Sequence, residues 1–260
     1  MTILTQVPQV EIEYPSSDGE PMAESDITRD YMIYTVESAI LYFQGRSDVY
    51  VSANSFIYYE QGNNQAVVAP DFYVVFGVVK RKRDNYKVWE EGGITPDFVL
   101  EITSETTQTK DQETKPEIYR ALGVTEYFQY DPSGDYLNPI LQGVRLVNNQ
   151  YEPIPANNIA FDTLWLFSEV LGLELHIISG EFRFRVPETG EFLKTHKEEN
   201  LGRLMAESAF QQSEQARLAA ESTLRSLLTQ LLNSGMNLEQ VAQMMNLSTL
   251  EVRRLVAENL

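Results

Sequence analysis

Short apolar runs occupy much of the first 190 positions of the chain and predict β-strands. Runs rich in β-branched and aromatic residues occur at 48–52, 55–60, 73–79, 86–90, 97–103 and 126–131. The run at 73–79 is almost wholly apolar, which is typical of a strand buried on both faces. Two hairpins are predicted further on, at 143–154 with an Asn-Asn turn and at 173–186 with a Ser-Gly turn.

Two segments of this region have a helical pattern instead. From about Asp26 apolar side chains recur at helical spacing until Gly45, and a second helix is predicted over 111–122, closed by Gly123. Helices interspersed among strands favour an α/β (α+β) domain over residues 31–195, built as a mixed sheet flanked by helices.

The composition changes after residue 195. Residues 196–232 contain no Pro and are rich in Ala, Leu, Glu, Gln and Arg, which predicts one long helix. Its apolar stripe is broken, so we expect an exposed helix or a weak coiled coil. The leucine-rich end favours self-association, and a homodimer through this helix is the candidate assembly.

The last segment, residues 233–260, carries two capping-box patterns. Asn237–Gln240 and Ser248–Glu251 each predict the start of a short helix, and the pair resembles part of a helix-turn-helix. Only Arg253 and Arg254 are basic there, among several glutamates, which disfavours DNA readout and favours helical packing or oligomerisation.

Residues 1–30 form a separate, acidic segment. They hold seven acidic residues and one basic residue, Arg29, together with three prolines and no regular apolar period. This composition predicts a loosely ordered arm.

Charge and cysteine content narrow the function classes. Asp and Glu number 38 against 20 Lys and Arg, and the formal net charge of −18 argues against non-specific binding to DNA or anionic membranes. The absence of Cys excludes disulfides, thiolate zinc sites and a cysteine nucleophile. No run approaches the ~18 apolar residues of a membrane-spanning helix, and the N-terminus lacks signal-peptide features, so a soluble, cytoplasmic protein is expected.

Two acidic residues on neighbouring predicted strands form the strongest candidate site. Asp71 follows Pro70 at the entrance to an apolar strand, and Glu101 lies within the run 97–103. An acid inside an apolar strand is costly to bury unless it binds a cation or a hydrogen-bond donor. Two such carboxylates on one face suit Mg²⁺ or Mn²⁺, the kind of ion that chemistry on a phosphodiester needs. The alternative is structural: Glu101 pairs with a lysine or arginine, and Asp71 caps a turn.

Other candidate motifs are weaker. One dense basic run is either a solvated loop or a set of phosphate contacts: Lys80, Arg81, Lys82 and Arg83. His176 and His196 are too far apart in sequence for a metal-ligand pair. The patterns G-x₄-G-K-[ST] and G-x-S-x-G are absent from the sequence, which leaves nucleotide hydrolysis and serine esterase chemistry without support.

An ordered series of short motifs resembles a known family. Pro70-Asp71 is followed by E-x-T at 101–103, then by D-x₃-K-x₃-Y-x₃-G-V-x-E-Y from Asp111 to Tyr127, and by Tyr-Asp-Pro at 130–132. This series is similar to that of the Uma-type restriction endonuclease family, a member of the PD-(D/E)XK nuclease superfamily. The resemblance covers about residues 31–150 and the Ala/Glu/Arg-rich helix near the C-terminus.

The resemblance implies a restriction-endonuclease-like sheet and a set of site residues. It implies Asp71, Glu101 and Lys115 as catalytic residues, and Asp71, Glu101 and Ile102 as metal-binding positions. The superfamily lysine usually lies two residues after the acid, where this chain has Thr103. By the same resemblance, Lys115 from the following helix replaces that lysine, and Asp111, Lys115 and a tyrosine four residues further on would share one helix face.

Two further positions stay open. Pro116 directly follows Lys115 and fits only the first turn of a helix, so Lys110 is the alternative lysine. The acid that the superfamily often carries on its first helix is best matched by Glu37, for which a solvated helix residue is an equally good interpretation.

Together these features point to a Mg²⁺- or Mn²⁺-dependent endonuclease that hydrolyses phosphodiester bonds of DNA through a metal-activated water. The alternative is a nuclease-fold protein without activity that serves interaction or regulation. The net charge of −18 and Thr103 favour the alternative, and the Asp71, Glu101 and Lys115 set favours the enzyme.

Overall fold

A computed structural model describes residues 12–17, 25–160 and 163–257 of the chain. The chain folds as two compact units, residues 1–196 and 197–260. Most of the predicted acidic arm, at 1–11 and 18–24, lies outside the described residues.

The described part of the first unit contains two helices and thirteen strands. Helix α1 is Asp26–Tyr42 and helix α2 is Lys115–Leu122. The strands are β1 (Val49–Ser52), β2 (Ile57–Tyr58), β3 (Val67–Val68), β4 (Phe72–Phe76), β5 (Tyr86–Lys87), β6 (Phe98–Ile102), β7 (Glu126–Tyr130), β8 (Leu141–Val147), β9 (Gln150–Pro153), β10 (Asn157–Ala160), β11 (Thr163–Ser168), β12 (Leu173–Ile178) and β13 (Glu181–Arg185).

The largest sheet has six strands in the order β1-β4-β6-β7-β8-β9. Strands β4 and β6 are antiparallel, with Phe72 opposite Leu100, and β6 and β7 are the one parallel pair in this sheet. A parallel pair needs a crossover connection, and α2 lies in it. Because β4 and β6 run in opposite directions, the residues just before β4 lie beside those at the end of β6.

Side chains of β4 and β6 alternate between two cores, one on each face of this sheet. Phe72 and Leu100 belong to the core that also contains residues of α1 and of β11–β13. Tyr73 and Val99 belong to the core that contains Tyr119 of α2. Glu101 has the parity of Val99 and so lies on the α2 face.

Two smaller sheets complete the first unit. Strands β10-β11-β12-β13 form an antiparallel sheet, and Leu173, Leu175 and Ile177 of β12 pack into the same core as α1. Strands β3-β2-β5 form a third sheet of three strands. The predicted fold class, a mixed sheet flanked by helices, is confirmed. Both predicted hairpins form, and the first turns at Asn148 and Asn149 with φ values of 49° and 63°.

Several predicted boundaries are wrong. The strand predicted at 73–79 ends at Phe76, because Gly77 has a φ of +78° and leaves the extended conformation. The run at 86–90 is a strand only at its first two residues and continues as a 3₁₀ turn over Val88–Glu91. Helix α1 begins at Asp26, where the helical pattern predicts it, because Ser25 caps it by accepting a hydrogen bond from the Thr28 amide.

The second unit consists of helices. Helix α3 is His196–Asn233, α4 is Leu238–Met245 and α5 is Thr249–Ala257. Nearly all residues at 201–220 of α3 are exposed, on every side of the helix. No helix among the described residues is long and apolar enough to cross a membrane.

The short helical pair packs on the last turns of α3. Leu228, Val241 and Val252, one from each helix, are fully buried together. Both capping boxes form: Asn237 with Gln240, and Ser248 with Glu251, exchange hydrogen bonds between side chain and main chain.

Candidate active site

The site begins where the residue before β4 meets the end of β6. Asp71 precedes β4, and its Oδ2 accepts a hydrogen bond from the Ile102 amide at 2.8 Å. The Asp71 amide in turn donates to Glu101 Oε2 at 3.3 Å. The antiparallel pairing of the two strands explains this exchange, which places both acids side by side on the α2 face of the sheet.

Lys115, the first residue of α2, brings a positive charge to these acids. Its Nζ lies 2.8 Å from Glu101 Oε2 and 2.9 Å from Asp111 Oδ1. The side chains of Glu101 and Asp111 have no exposed surface, whereas that of Lys115 is 15% exposed. The ammonium group therefore lies between two buried carboxylates and is still reachable from solvent.

A π-turn at Lys110–Thr114 sets the positions of Asp111 and Lys115. The Lys115 amide donates to the carbonyl of Lys110, five residues back, and not to that of Asp111, four residues back. Pro116 has no amide hydrogen and cannot donate to the Asp111 carbonyl either. The turn and the proline together leave this carbonyl without a helical partner.

Two side chains of β7 supply the missing hydrogen bonds. The Tyr127 hydroxyl donates to the Asp111 carbonyl at 2.7 Å, and Gln129 Nε2 donates to it at 2.8 Å. A buried carbonyl left unpaired is costly, so these two bonds stabilise the π-turn against a regular helix. Strand β7 therefore fixes the main chain of Asp111, whose carboxylate contacts Lys115.

Tyr119 holds the other oxygen of Glu101. Its buried hydroxyl donates to Glu101 Oε1 at 2.5 Å. Burial raises the pKa of Tyr119 well above its ordinary value, and the charge of Glu101 adds to the increase, so the hydroxyl stays protonated and remains a donor. The four-residue spacing thus brings three side chains from consecutive helical turns to the neighbourhood of Glu101: Asp111, Lys115 and Tyr119.

Burial and neighbouring charges shift the ionisation of the site. Burial raises the pKa of Asp71 well above its usual range, and the charge of Glu101 raises it further. Burial also raises the pKa of Glu101, against the opposing effect of Lys115. Burial lowers the pKa of Lys115, but the charges of Glu101, Asp111 and Asp71 outweigh it, and the pKa lies above the ordinary value. The lysine is charged at neutral pH.

The donor atoms fit a hard divalent cation. Three acids, Asp71, Glu101 and Asp111, face one lysine, so negative charge is in excess when all are ionised. At this site, the buried atoms Asp111 Oδ2 and Thr103 Oγ1 have neither a hydrogen bond nor an ion pair among the described residues. The described ranges contain no group of three or more His, Cys, Asp or Glu arranged to hold a metal. Mg²⁺ commonly uses only one or two carboxylates and keeps several waters, which the Asp71–Glu101 pair can satisfy.

A comparison with protein-family models matches residues 5–191 to the family described as "Uma2: Putative restriction endonuclease". The match extends over well more than half of the 260 residues. The chain belongs to the Uma2 family. This membership confirms the resemblance that the motif series indicates, and it supports a nuclease at the level of the family. No curated protein matches the chain.

Three further positions of this Uma2 chain that the sequence analysis singled out contribute little to the site: Ile102, Thr103 and Lys110. Ile102 offers the site only its main chain, because its side chain alternates to the face opposite Glu101. Thr103 continues the pairing of β6, with its amide bonded to the Tyr130 carbonyl at 2.8 Å, and is buried where the superfamily lysine would lie. Lys110 is exposed and has no ion-pair partner among the described residues.

Glu37 is not brought to the acids. It lies in α1, whose buried residues join the core on the other face of the sheet from Glu101. The histidines are also separate, because His176 hydrogen-bonds Glu174 at 2.9 Å within the second sheet and His196 begins α3.

The basic run of the Uma2 chain is partly committed to internal contacts. Arg81 and Arg83 both pair with Glu91, at 2.7 and 2.9 Å. The side chain of Arg83 is 3% exposed and its guanidinium lies 4.3 Å from the centre of the Tyr50 ring. Lys80 and Lys82 are exposed, and no ion pair to them occurs in the described part of the chain.

This run also lies away from the acids. It follows the C-terminal end of β4, whereas Asp71 precedes the N-terminal end, and five residues of extended chain span about 16 Å. The structure therefore does not place residues 80–83 beside Asp71 and Glu101.

Sequence patterns alone did not identify the residues that fix the π-turn. Tyr127 and Gln129 belong to a predicted strand, and nothing in their spacing indicates that they bind a helix carbonyl. Pro116 is the one local signal, because a proline one turn into a helix always deprives a carbonyl of its partner.

Proposed function

We propose that this Uma2 protein is a Mg²⁺- or Mn²⁺-dependent endonuclease that hydrolyses phosphodiester bonds of DNA. The observation that supports the proposal most directly is the convergence of Asp71, Glu101 and Lys115 on one face of the sheet, with Lys115 Nζ 2.8 Å from Glu101. Two acids and one lysine in a partly enclosed site are the groups that phosphodiester hydrolysis needs.

Each residue has a distinct role in the proposal. Asp71 and Glu101 would hold the ion, with the Ile102 amide and the Tyr119 hydroxyl fixing their orientation. When bound, the ion supplies polarisation of the phosphate and a lower pKa for the attacking water. Lys115, which is charged and partly exposed, stabilises the negative charge that develops on the phosphate oxygens.

DNA contacts outside the acids would come from the exposed lysines of the basic run. Lys80 and Lys82 are free for phosphate in the described structure, whereas Arg83 is buried on Tyr50 and paired with Glu91. We therefore assign phosphate contact to the two lysines, with a smaller contribution from Arg81 and none from Arg83.

Nicking of supercoiled plasmid DNA tests the proposal. The purified full chain is incubated with Mg²⁺, with Mn²⁺ and with EDTA, beside Asp71→Asn and Glu101→Gln prepared identically. Glu113→Gln is the matched control, because Glu113 is an exposed acid in the same π-turn. Cleavage by the wild type and the control, but not by the two site variants or in EDTA, is expected. Equal cleavage by all four would show a contaminating nuclease.

A nuclease-fold protein without activity is the second candidate. It is favoured by Thr103 in place of the superfamily lysine and by the net charge of −18, which weakens attraction to DNA. A metal-induced rise in melting temperature that Asp71→Ala abolishes, without any cleavage, would select this candidate.

We further propose that the protein self-associates through α3 to form a homodimer. The leucine-rich end of α3, on which the sequence prediction rested, packs on α4 and α5 in one apolar core. The uncovered part of the stripe is Leu201, Leu204 and Met205, which are 52%, 50% and 63% exposed on one side of the helix. A single helix that is exposed on every side is only marginally stable in water, and α3 of a second copy of the chain would cover this apolar side.

A further inference from the structure

Asp111 is a buried acid of the site to which the proposed function gives no role. It has no exposed surface, and the Lys115 ammonium lies 2.9 Å from its Oδ1. Its Oδ2 has no hydrogen-bond partner among the described residues. A buried carboxylate in this state is costly unless it performs a task that the rest of the structure supports.

The surrounding structure holds Asp111 in place from two sides. On the helix side, the π-turn and Pro116 remove both main-chain donors that could reach its carbonyl. On the sheet side, Tyr127 and Gln129 replace them with two hydrogen bonds. The backbone of Asp111 is thus fixed by β7, independently of the lysine that its side chain contacts.

Lys115 would otherwise have considerable freedom. Its side chain has four rotatable bonds and is 15% exposed. Contact with Glu101 alone would let the ammonium group take several positions around the Oε2 atom of Glu101. Two carboxylates, one from β6 and one from the π-turn, restrict it to the space between them.

We infer that Asp111 is a positioning residue, which holds the Lys115 ammonium against the Glu101 side of the site through a π-turn anchored on β7. The inference rests on the proposed function for its consequence in catalysis. Its geometric content, that Asp111 restrains Lys115, holds whether or not the protein cleaves DNA. Asp111 itself is expected to remain outside the metal-binding pair.

Two variants of Asp111 separate its charge from its hydrogen bond. Asp111→Asn keeps the shape and one acceptor oxygen, and Asp111→Ala removes both. Glu113→Gln is the matched control, two residues away on the exposed side of the π-turn. All four full-length proteins are compared by melting temperature with and without Mg²⁺, by plasmid nicking, and by acylation of Lys115 measured by peptide mass spectrometry in EDTA.

The expected results differ between the readouts. Asp111→Ala increases acylation of Lys115 severalfold, and Asp111→Asn increases it less. Both retain the Mg²⁺-induced rise in melting temperature, and both lower kcat with KM unchanged, by up to about 10²-fold, the scale of a misplaced catalytic group. Glu113→Gln matches the wild type in every readout.

Three outcomes would overturn the inference. Unchanged acylation of Lys115 in folded Asp111→Ala would show that Asp111 does not restrain it. Loss of the Mg²⁺ effect in Asp111→Asn would make Asp111 a metal ligand. A rise in KM with kcat unchanged would make it a substrate-binding group.

If Asp111→Ala does not fold, Asp111→Asn must show the fall in kcat and the increased acylation. If the wild type does not cleave DNA, the proposed function fails and the acylation experiment still decides the inference.

Discussion

At the scale of the residue, the surroundings of Asp71 act on its ionisation in opposite directions. Burial and the charge of Glu101 both disfavour its ionised form, while Lys115 and the Ile102 amide favour it. The pKa is raised well above the usual range, so the disfavouring effects dominate. In the metal-free protein, ionised Asp71 therefore costs stability.

Asp71→Asn is expected to stabilise the metal-free protein at pH 7. A raised folded-state pKa means that the folded protein binds the proton more tightly than the unfolded chain, whose pKa is about 3.9. The wild type therefore loses stability as the pH rises from the unfolded pKa through the folded pKa. Asn avoids this loss and can still accept the hydrogen bond from the Ile102 amide.

Thermal melts in EDTA from pH 4 to pH 8 measure this effect. The variant should melt above the wild type at pH 7, by about 2–4 °C for each kcal/mol gained. The difference should shrink towards pH 4, where the wild-type carboxyl is protonated. A lower melting temperature for the variant at pH 7 would contradict the raised pKa.

Lys115→Ala is expected to lower the cleavage rate by about 10²–10³-fold, the scale of removing one preorganised electrostatic group. It should also lower the melting temperature in EDTA, because two buried carboxylates lose their cation. Lys110→Ala should change neither quantity, since Lys110 is exposed and has no ion-pair partner among the described residues. Cleavage rates and melting temperatures of both variants are measured with and without Mg²⁺. A loss of cleavage in Lys110→Ala but not in Lys115→Ala would make Lys110 the catalytic lysine.

At the scale of the element, the parts of the fold that could be predicted are those with local signals. The apolar strand β4, apart from its C-terminal end, and the Asn-Asn and Ser-Gly hairpins are determined by residues close in sequence. Strands β10 and β11 were not predicted, because the mixed pattern there forms strands only through pairing, of β11 with β12 and of β10 with β11. The short β5 continues as a 3₁₀ turn for which the alternating run gave no sign.

The same distinction applies to the site. The proximity of Asp71 and Glu101 follows from strand order and alternation, both of which can be inferred from sequence. The π-turn depends on Tyr127 and Gln129, which approach Asp111 only in the folded chain. Non-local hydrogen bonds of this kind leave no periodic pattern.

Pro116→Ala tests whether the π-turn matters. The substitution restores an amide hydrogen, so a regular α-helical register becomes available and competes with the π-turn. In the α-helical register the Lys115 amide would take the Asp111 carbonyl from Tyr127 and Gln129, which would displace Asp111 and Lys115 together relative to Glu101. Cleavage should then fall by about 10²-fold, the cost of displacing a catalytic group by about 1 Å, while the Mg²⁺-induced rise in melting temperature remains. An unchanged rate with the same secondary structure would show that the proline is incidental.

At the scale of the whole molecule, the acidic composition and the exposed helix α3 act in opposite directions. The net charge of −18 keeps copies of the protein apart, more strongly at low ionic strength. The apolar side of α3 favours bringing two copies together. Self-association should therefore become stronger as salt is added.

Replacing Leu201, Leu204 and Met205 together with Gln is expected to give a monomer. Each fully buried side chain of this size contributes about 1.5–3 kcal/mol, so the triple variant should raise the dimer Kd by about 10³-fold or more. Leu250→Gln is the control, because Leu250 is 77% exposed on α5. Sedimentation velocity at two salt concentrations makes the measurement. A wild type that stays monomeric at every concentration and salt level would refute the homodimer.

The ammonium group of Lys115 has one more consequence, for how the protein is made and handled. Because a covalently attached cation already lies between Glu101 and Asp111, the acids are partly compensated as soon as the chain folds. Folding is therefore expected not to require a metal, in contrast to small zinc domains that unfold without their ion. A preparation treated with a chelator is expected to remain native during storage.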